Sequence, residues 1–175
     1  MFKPKYIITN QILKKIGQID AAREIVNATP IIPAWENKLI KDAQERTMHF
    51  GTRLEGNGLQ FEQVQALLDG KEINALTRDV EDLLAYQKGL IFVEKIAKQI
   101  GPGKPYHLTI ETINEIHRLI TERVLPAEHS GNFRVKQIVI RNVQTGEISY
   151  SPPPAVEVSY MLEDLVNWIN SRDGK

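Results

Sequence analysis

Apolar residues recur at helical spacing along most of the chain, and the period departs from helical in one stretch, from about residue 134 to the triple proline. Thr9 or Asn10 can cap a first helix through about residue 27, with Ile12, Ile16, Ile19 and Ala22 on one face. The prolines of Ala28-Thr29-Pro30-Ile31-Ile32-Pro33 stop that helix and start the next. The second helix, over residues 33–54, spaces Trp35, Leu39, Ala43 and Met48 for one buried face. The segment 58–70 reads as a short helix stopped by Gly70, and a long one over 77–99 carries Leu83, Leu90, Ile91 and Val93. Thr109 opens a helix to about residue 124, stapled by Leu108 and Ile113, with Ile110, Ile116, Ile120 and Val124 completing its buried stripe. Pro152-Pro153-Pro154 leads into a last helix that is expected to bury Val158, Met161, Leu162, Leu165 and Trp168.

Between those last two helices the pattern turns to period two. Residues 135–141 are rich in β-branched side chains, and a turn near Gln144-Thr145-Gly146 returns the chain through Glu147-Ile148-Ser149-Tyr150. A lone hairpin is marginal in water and has to lean on helices, while its outer edge leaves backbone groups unpaired. The expected fold is therefore mainly α, a bundle of about six helices with one β-hairpin. Gly101-Pro102-Gly103 marks the expected boundary between an N-terminal helical domain, residues 1–103, and a second part, residues 104–175.

Composition narrows the function classes. Hydrophobic residues make up 42% and charged residues 25%, the balance of an ordinary soluble globular protein. Lys+Arg and Asp+Glu stand at 22 each with no basic block, which argues against nucleic acid as the partner. There is no cysteine, hence no disulfide scaffold and no thiolate metal site, and no metal is expected. No apolar run reads as a signal peptide or a membrane span, so no membrane partner is expected and the cytoplasm is the expected compartment.

One polar feature stands out, Arg53-Leu54-Glu55-Gly56-Asn57 at the end of the second helix. Gly56 is a natural left-handed stop. Glu55 faces the negative end of the helix macrodipole, which costs roughly 0.3–1 kcal/mol unless a cation or solvent answers it. Taken alone, this is an ordinary solvated carboxylate beside a glycine.

The succession is more specific than its parts. Glu55-Gly56-Asn57, the short helix ending at Gly70, Gly131-Asn132-Phe133-Arg134, the hairpin, the triple proline and the closing helix resemble the Fic family over nearly the whole chain. Members of that family commonly transfer AMP from ATP to a hydroxyl of a target protein. The resemblance implies an inhibitory role for Glu55 with Gly56 and Asn57, in a (Ser/Thr)-x-x-x-Glu-(Gly/Asn) pattern. In that pattern the Glu pairs with the last Arg of the catalytic motif and blocks the productive position of the ATP γ-phosphate. The Ser/Thr position falls on Gly51 here, and the nearest hydroxyl is on Thr52.

The hairpin resembles the family's flap, which holds an extended target segment by strand addition. That implies Lys136, Gln137, Ile138, Val139 and Ile140 as docking residues. ATP and Mg²⁺ are the implied cofactors of a longer parent. The implied partners are a target protein bearing a Ser, Thr or Tyr hydroxyl and the missing part of the Fic core. Apolar surface left open by that missing part would favour self-association into a homo-oligomer.

The catalytic pattern His-x-Phe-x-(Asp/Glu)-Gly-Asn-Gly-Arg-x-x-Arg does not occur after His49, His107, His117 or His129. No catalytic residue is assigned, and the chain alone is expected to be an inactive front part of a longer Fic protein. His117 receives no role. Two other readings stand beside this one. A non-catalytic interaction or antitoxin-like module would present Glu55 to a separate partner. A helical DNA-binding regulator is opposed by the zero net charge.

Overall fold

The computed structural model describes residues 2–30, 32–101 and 104–171. Among them run α1 (Asn10–Ala28), α2 (Pro33–Leu54), α3 (Phe61–Leu68), α4 (Thr77–Ile100), α5 (Ile110–Thr121) and α6 (Val158–Asn170). Strands β1 (Ile140–Arg141) and β2 (Ile148–Tyr150) form an antiparallel hairpin between α5 and α6. The fold is mainly α with a single hairpin among the described residues, as the hydrophobic pattern predicts.

Local signals set the helix ends. Thr9 Oγ1 accepts from the Ile12 N–H and Thr109 Oγ1 from the Thr112 N–H, each filling one orphan donor of a first turn. Both α2 and α3 end in Schellman motifs. The Gly56 and Asn57 N–H groups return to the Arg53 and Thr52 carbonyls, and those of Gly70 and Lys71 return to Leu67 and Ala66. Each motif needs a left-handed residue, and Gly56 and Gly70 supply it at φ +92° and +77°.

The core sits where the second half of α2 meets α3 and α4. Met48, Leu59, Val64 and Leu83 are buried together, with Leu67, Ile73, Tyr86 and Leu90 packed around them. Asp79, Leu83, Tyr86 and Leu90 recur along one face of α4, which is the face turned to α2 and α3. A second face of α4 takes α5. Gly89 lets the two helices approach, since a methyl group there would lie 2.8 Å from Ile120 Cγ2. Lys88 bridges to Glu122, and Arg118 pairs with both Glu115 and Glu122. Asn170 ties α6 to the start of α5, its amide donating to the Leu108 carbonyl at 2.7 Å and accepting from the Leu108 N–H at 2.9 Å.

Several expected faces are not buried. Trp35 and Leu39 are 67% and 56% exposed, Ala43 is exposed too, and only Met48 of that stripe lies in the core. In the first half of α2 the contact with α3 is made by the polar Lys41, bonded to Asp69, and the apolar stripe is left uncovered by the described residues. All of α1 is exposed. Ile91 and Val93 are exposed on α4, and α5 stops at Thr121, leaving Val124 exposed beyond it. In α6, Met161 is exposed and the buried residue is Val166, while Trp168 is half-buried against Phe2 with ring centroids 5.3 Å apart. The boundary expected at Pro102-Gly103 lies outside the described residues.

The hairpin is shorter than the alternation over 135–141 implies, with only Ile140 and Arg141 in a strand. The register explains it. Ile140 pairs with Tyr150, so the ladder would next bring Ile138 and its neighbours against Pro152, Pro153 and Pro154, which have no N–H to donate. Side chains replace the missing rungs. Gln137 Nε2 donates to the Pro152 carbonyl and its Oε1 accepts from the Ala155 N–H, while Arg134 donates to the Pro153 carbonyl.

Candidate functional site

The end of α2 is held at three places around Glu55. Thr52 is buried, and its hydroxyl donates to the Met48 carbonyl one turn back at 2.8 Å. Asn57 is also buried, donating to the Asp79 carbonyl at 2.7 Å and accepting from the Leu59 N–H at 3.1 Å. The Asp79 carboxylate in turn accepts from the Gly58 N–H at 3.1 Å. One turn of α4 is thereby clasped to the loop that leaves α2. The third place is Gly51, whose missing side chain leaves room for Tyr86.

Glu55 itself is exposed at the C-cap, and its side chain makes no hydrogen bond or ion pair among the described residues. Arg53 in the last turn of α2 answers the negative end of the helix dipole without bonding to Glu55, so the cost of an exposed carboxylate there stays at the low end, a few tenths of a kcal/mol. The arrangement is a carboxylate free at its tip on a backbone fixed on both sides. Such a group can meet an arginine fork presented by another surface. Glu55, Gly56, Asn57 and Thr52 are thus brought together at one helix end.

The second group, Lys136 to Ile140, lies in the hairpin arm, and all five residues are exposed. Ile140 is in the ladder, Gln137 faces the prolines, and Lys136, Val139 and Ile138 precede the strand. The backbone over 135–139 has no strand partner among the described residues; the Ile138 carbonyl accepts from Gln137 Nε2 at 3.2 Å, and the segment is otherwise open to main-chain pairing. No hydrogen bond or ion pair joins this group to the Glu55 group among the described residues.

Some structural roles were not read from the sequence. His117 Nδ1 accepts from the Gly131 N–H at 2.9 Å, which requires the neutral ring with its proton on Nε2. Gly131, at φ +73°, lies so close to α5 that a methyl group there would be 2.8 Å from Arg118 Cβ. Buried Ser130 adds a hydrogen bond to the Arg118 carbonyl at 3.1 Å. This latch fixes the Gly131-Asn132-Phe133-Arg134 loop on α5. Beside it opens a groove of about 610 Å³, lined by His117, Leu125, Phe133, Arg134, Val158 and Leu162 among others. Arg134 Nε is buried there without a partner. Asp79 and Tyr86 were also missed, although a glycine inside a helix and a 79/83/86/90 repeat were legible signals for them.

The electrostatics centre on α5. Arg118 holds the Glu115 carboxyl below the usual range by hydrogen bonding, and Lys88 does the same for Glu122. On the other side of the core the Lys41 ammonium holds Asp69 low, bonded to it at 2.7 Å. Among the described residues no three His, Cys, Asp or Glu side chains are grouped to hold a metal ion. Nor is any helix among them long and apolar enough to cross a membrane.

No family model and no curated protein matches the sequence. Solved structures do match the fold. A Fic family protein from Desulfovibrio desulfuricans G20 superposes with a TM-score of 0.74 at 21% identity, over 98% of this chain and 49% of its own. A Fic domain containing signaling protein from Bacteroides thetaiotaomicron VPI-5482 gives 0.66 at 26% identity, over 81% and 51%. Fic-1 from C. elegans gives 0.68 at 19% identity, over 94% and 46%. The fold is that of Fic family proteins, and the chain spans about half the length of each of these structures.

Proposed function

We propose that this chain supplies the regulatory and target-docking parts of a self-inhibited Fic-type transferase, which moves AMP from ATP to a hydroxyl of a target protein. The observation that carries the reading is Glu55. Its carboxylate is unpaired and exposed, on a helix end clasped by Asn57 and Asp79, in a fold shared with Fic proteins about twice as long.

The chemistry divides between the halves. Nucleotidyl transfer needs a base for the target hydroxyl proton, and N–H groups and cations around the developing phosphate charge. The described residues offer no such combination, so the remaining half would bring it, together with ATP and Mg²⁺. The groove beside His117 and Phe133 would receive apolar side chains of that half. Glu55 would pair with an arginine of its phosphate-binding helix and keep the γ-phosphate out of line. The unpaired backbone over 135–139 would add an extended target segment to the hairpin by main-chain hydrogen bonds.

The test begins with the reading frame beyond Lys175. Protein carrying the catalytic His-x-Phe-x-(Asp/Glu)-Gly-Asn-Gly-Arg segment is incubated with labelled ATP and Mg²⁺, with Glu55 intact or as Glu55→Gly. Protein labelling is expected to rise at least about tenfold in the variant, the equivalent of removing roughly 1.4 kcal/mol of restraint. Absence of label from both forms, or of the catalytic segment, would leave a non-catalytic module that presents Glu55 to a partner.

A further inference from the structure

Gly51 lies in the interior of α2, three residues before its end, and its backbone is helical rather than left-handed. The backbone therefore does not require glycine there, and helix propensity disfavours it. What requires it is α4. A methyl group built at Gly51 would lie 2.6 Å from Tyr86 Oη and 2.8 Å from Cζ. The tip of the phenol occupies the volume that a side chain at position 51 would fill, and it does so four residues before Glu55.

Tyr86 and Asp79 lie seven residues apart on the same face of α4, with fully buried Leu83 between them. They meet the chain on both sides of the turn that presents Glu55: Tyr86 before it at Gly51 of α2, and Asp79 after it at Asn57 and Gly58 of the following loop. We infer that Tyr86 is a positioning residue for Glu55. Its ring seated in the Gly51 notch fixes the last turn of α2 and so the direction in which the carboxylate is presented. The inference rests on the inhibitory reading of Glu55 for its functional meaning, and it assigns the regulation of that site to a residue on another helix. Where a Ser or Thr at position 51 would steady the helix with its own side chain, this chain uses a glycine and a phenol from across the interface.

The chain has no cysteine, so Glu55→Cys creates a single attachment point for a nitroxide spin label. A second protein labelled through Glu72→Cys, on the exposed loop after α3, is the control. Tyr86→Leu is expected to shorten the rotational correlation time of the label at 55 by about half, on the nanosecond scale such labels report, and to leave the label at 72 unchanged. Adding Gly51→Ser to Tyr86→Leu refills the notch from the other side and restores order at 55. Tyr86→Phe, which keeps the ring, retains it. A label at 55 that ignores Tyr86→Leu overturns the inference. So does loosening of both labels together, which marks general destabilisation, or a failure of Gly51→Ser to restore order. None of these readouts involves nucleotide, so this inference can fail while the Glu55→Gly labelling result stands, and the reverse.

Discussion

Helix α1 and the second half of α2 meet opposite fates, although α1 is the richer in apolar residues. Ile12, Ile16 and Ile19 of α1 are all exposed, whereas Met48, His49 and Thr52 of α2 are buried together with Glu45. The difference lies in the neighbours. The end of α2 faces α3 and the 79/83/86/90 face of α4, while among the described residues no helix packs extensively along α1. A helix of nineteen residues standing alone in water is marginal, so α1 depends on whatever surface eventually covers it. Periodicity says that a helix has a sticky side; only the rest of the chain says whether that side is met.

Truncations separate the two regions most sharply. Leu83→Ala opens a cavity at a fully buried position and is expected to cost about 2–5 kcal/mol. Ile16→Ala removes an exposed side chain, with an expected change within about 0.5 kcal/mol. Urea denaturation of both variants checks the pair, and equal losses would mean that α1 is buried in solution by self-association. A smaller effect sharpens the picture within the core. Asn57→Ala leaves the buried Leu59 N–H without its acceptor and takes a second donor from the Asp79 carbonyl, for about 1–3 kcal/mol. Hydrogen exchange should show that loss concentrated over residues 52–59.

The smallest effect concerns surface charge along α5 and at its contact with α4, where Lys88 meets Glu122. Glu122 and Glu115 are held below the ordinary carboxylate range, first by hydrogen bonds from Lys88 and Arg118 respectively. Their stabilisation is present above the unfolded value of about 4.3 and is lost as pH falls through the lower folded values. Melting temperature should therefore decline below about pH 4, less so in Lys88→Met, and only modestly because these groups are exposed to solvent. A steep acid transition unaffected by Lys88→Met would place the sensitivity elsewhere.

Helix existence was legible because the local signals agree with the tertiary fold. Thr9, Thr109, Pro33, Gly56 and Gly70 all act in the structure at the helix ends where the sequence places them. Burial was less legible. The stripe from Trp35 to Met48 reads as continuous, yet the partner helices cover only its end. The hairpin is shorter than its β-branched alternation implies, because Pro152, Pro153 and Pro154 have no N–H groups to continue the ladder. At the candidate site, Glu55, Gly56 and Asn57 stand out in sequence as a motif, whereas Asp79, Tyr86 and His117 act through contacts between elements far apart in the chain. Gly51 inside α2 and the 79/83/86/90 repeat on α4 are the local clues to such contacts.

The ring contact between Phe2 and Trp168 has a kinetic consequence. It joins the two extremes of the described chain, so the loop it closes contains every other element. The entropy of closing such a loop rises only slowly with length, but nothing rewards that closure until the intervening helices have assembled. The α2–α3–α4 contacts, by contrast, join segments that follow one another directly. Assembly is thus expected to run outward from a local nucleus around Leu83, with the Phe2–Trp168 contact among the last to form and the first to open.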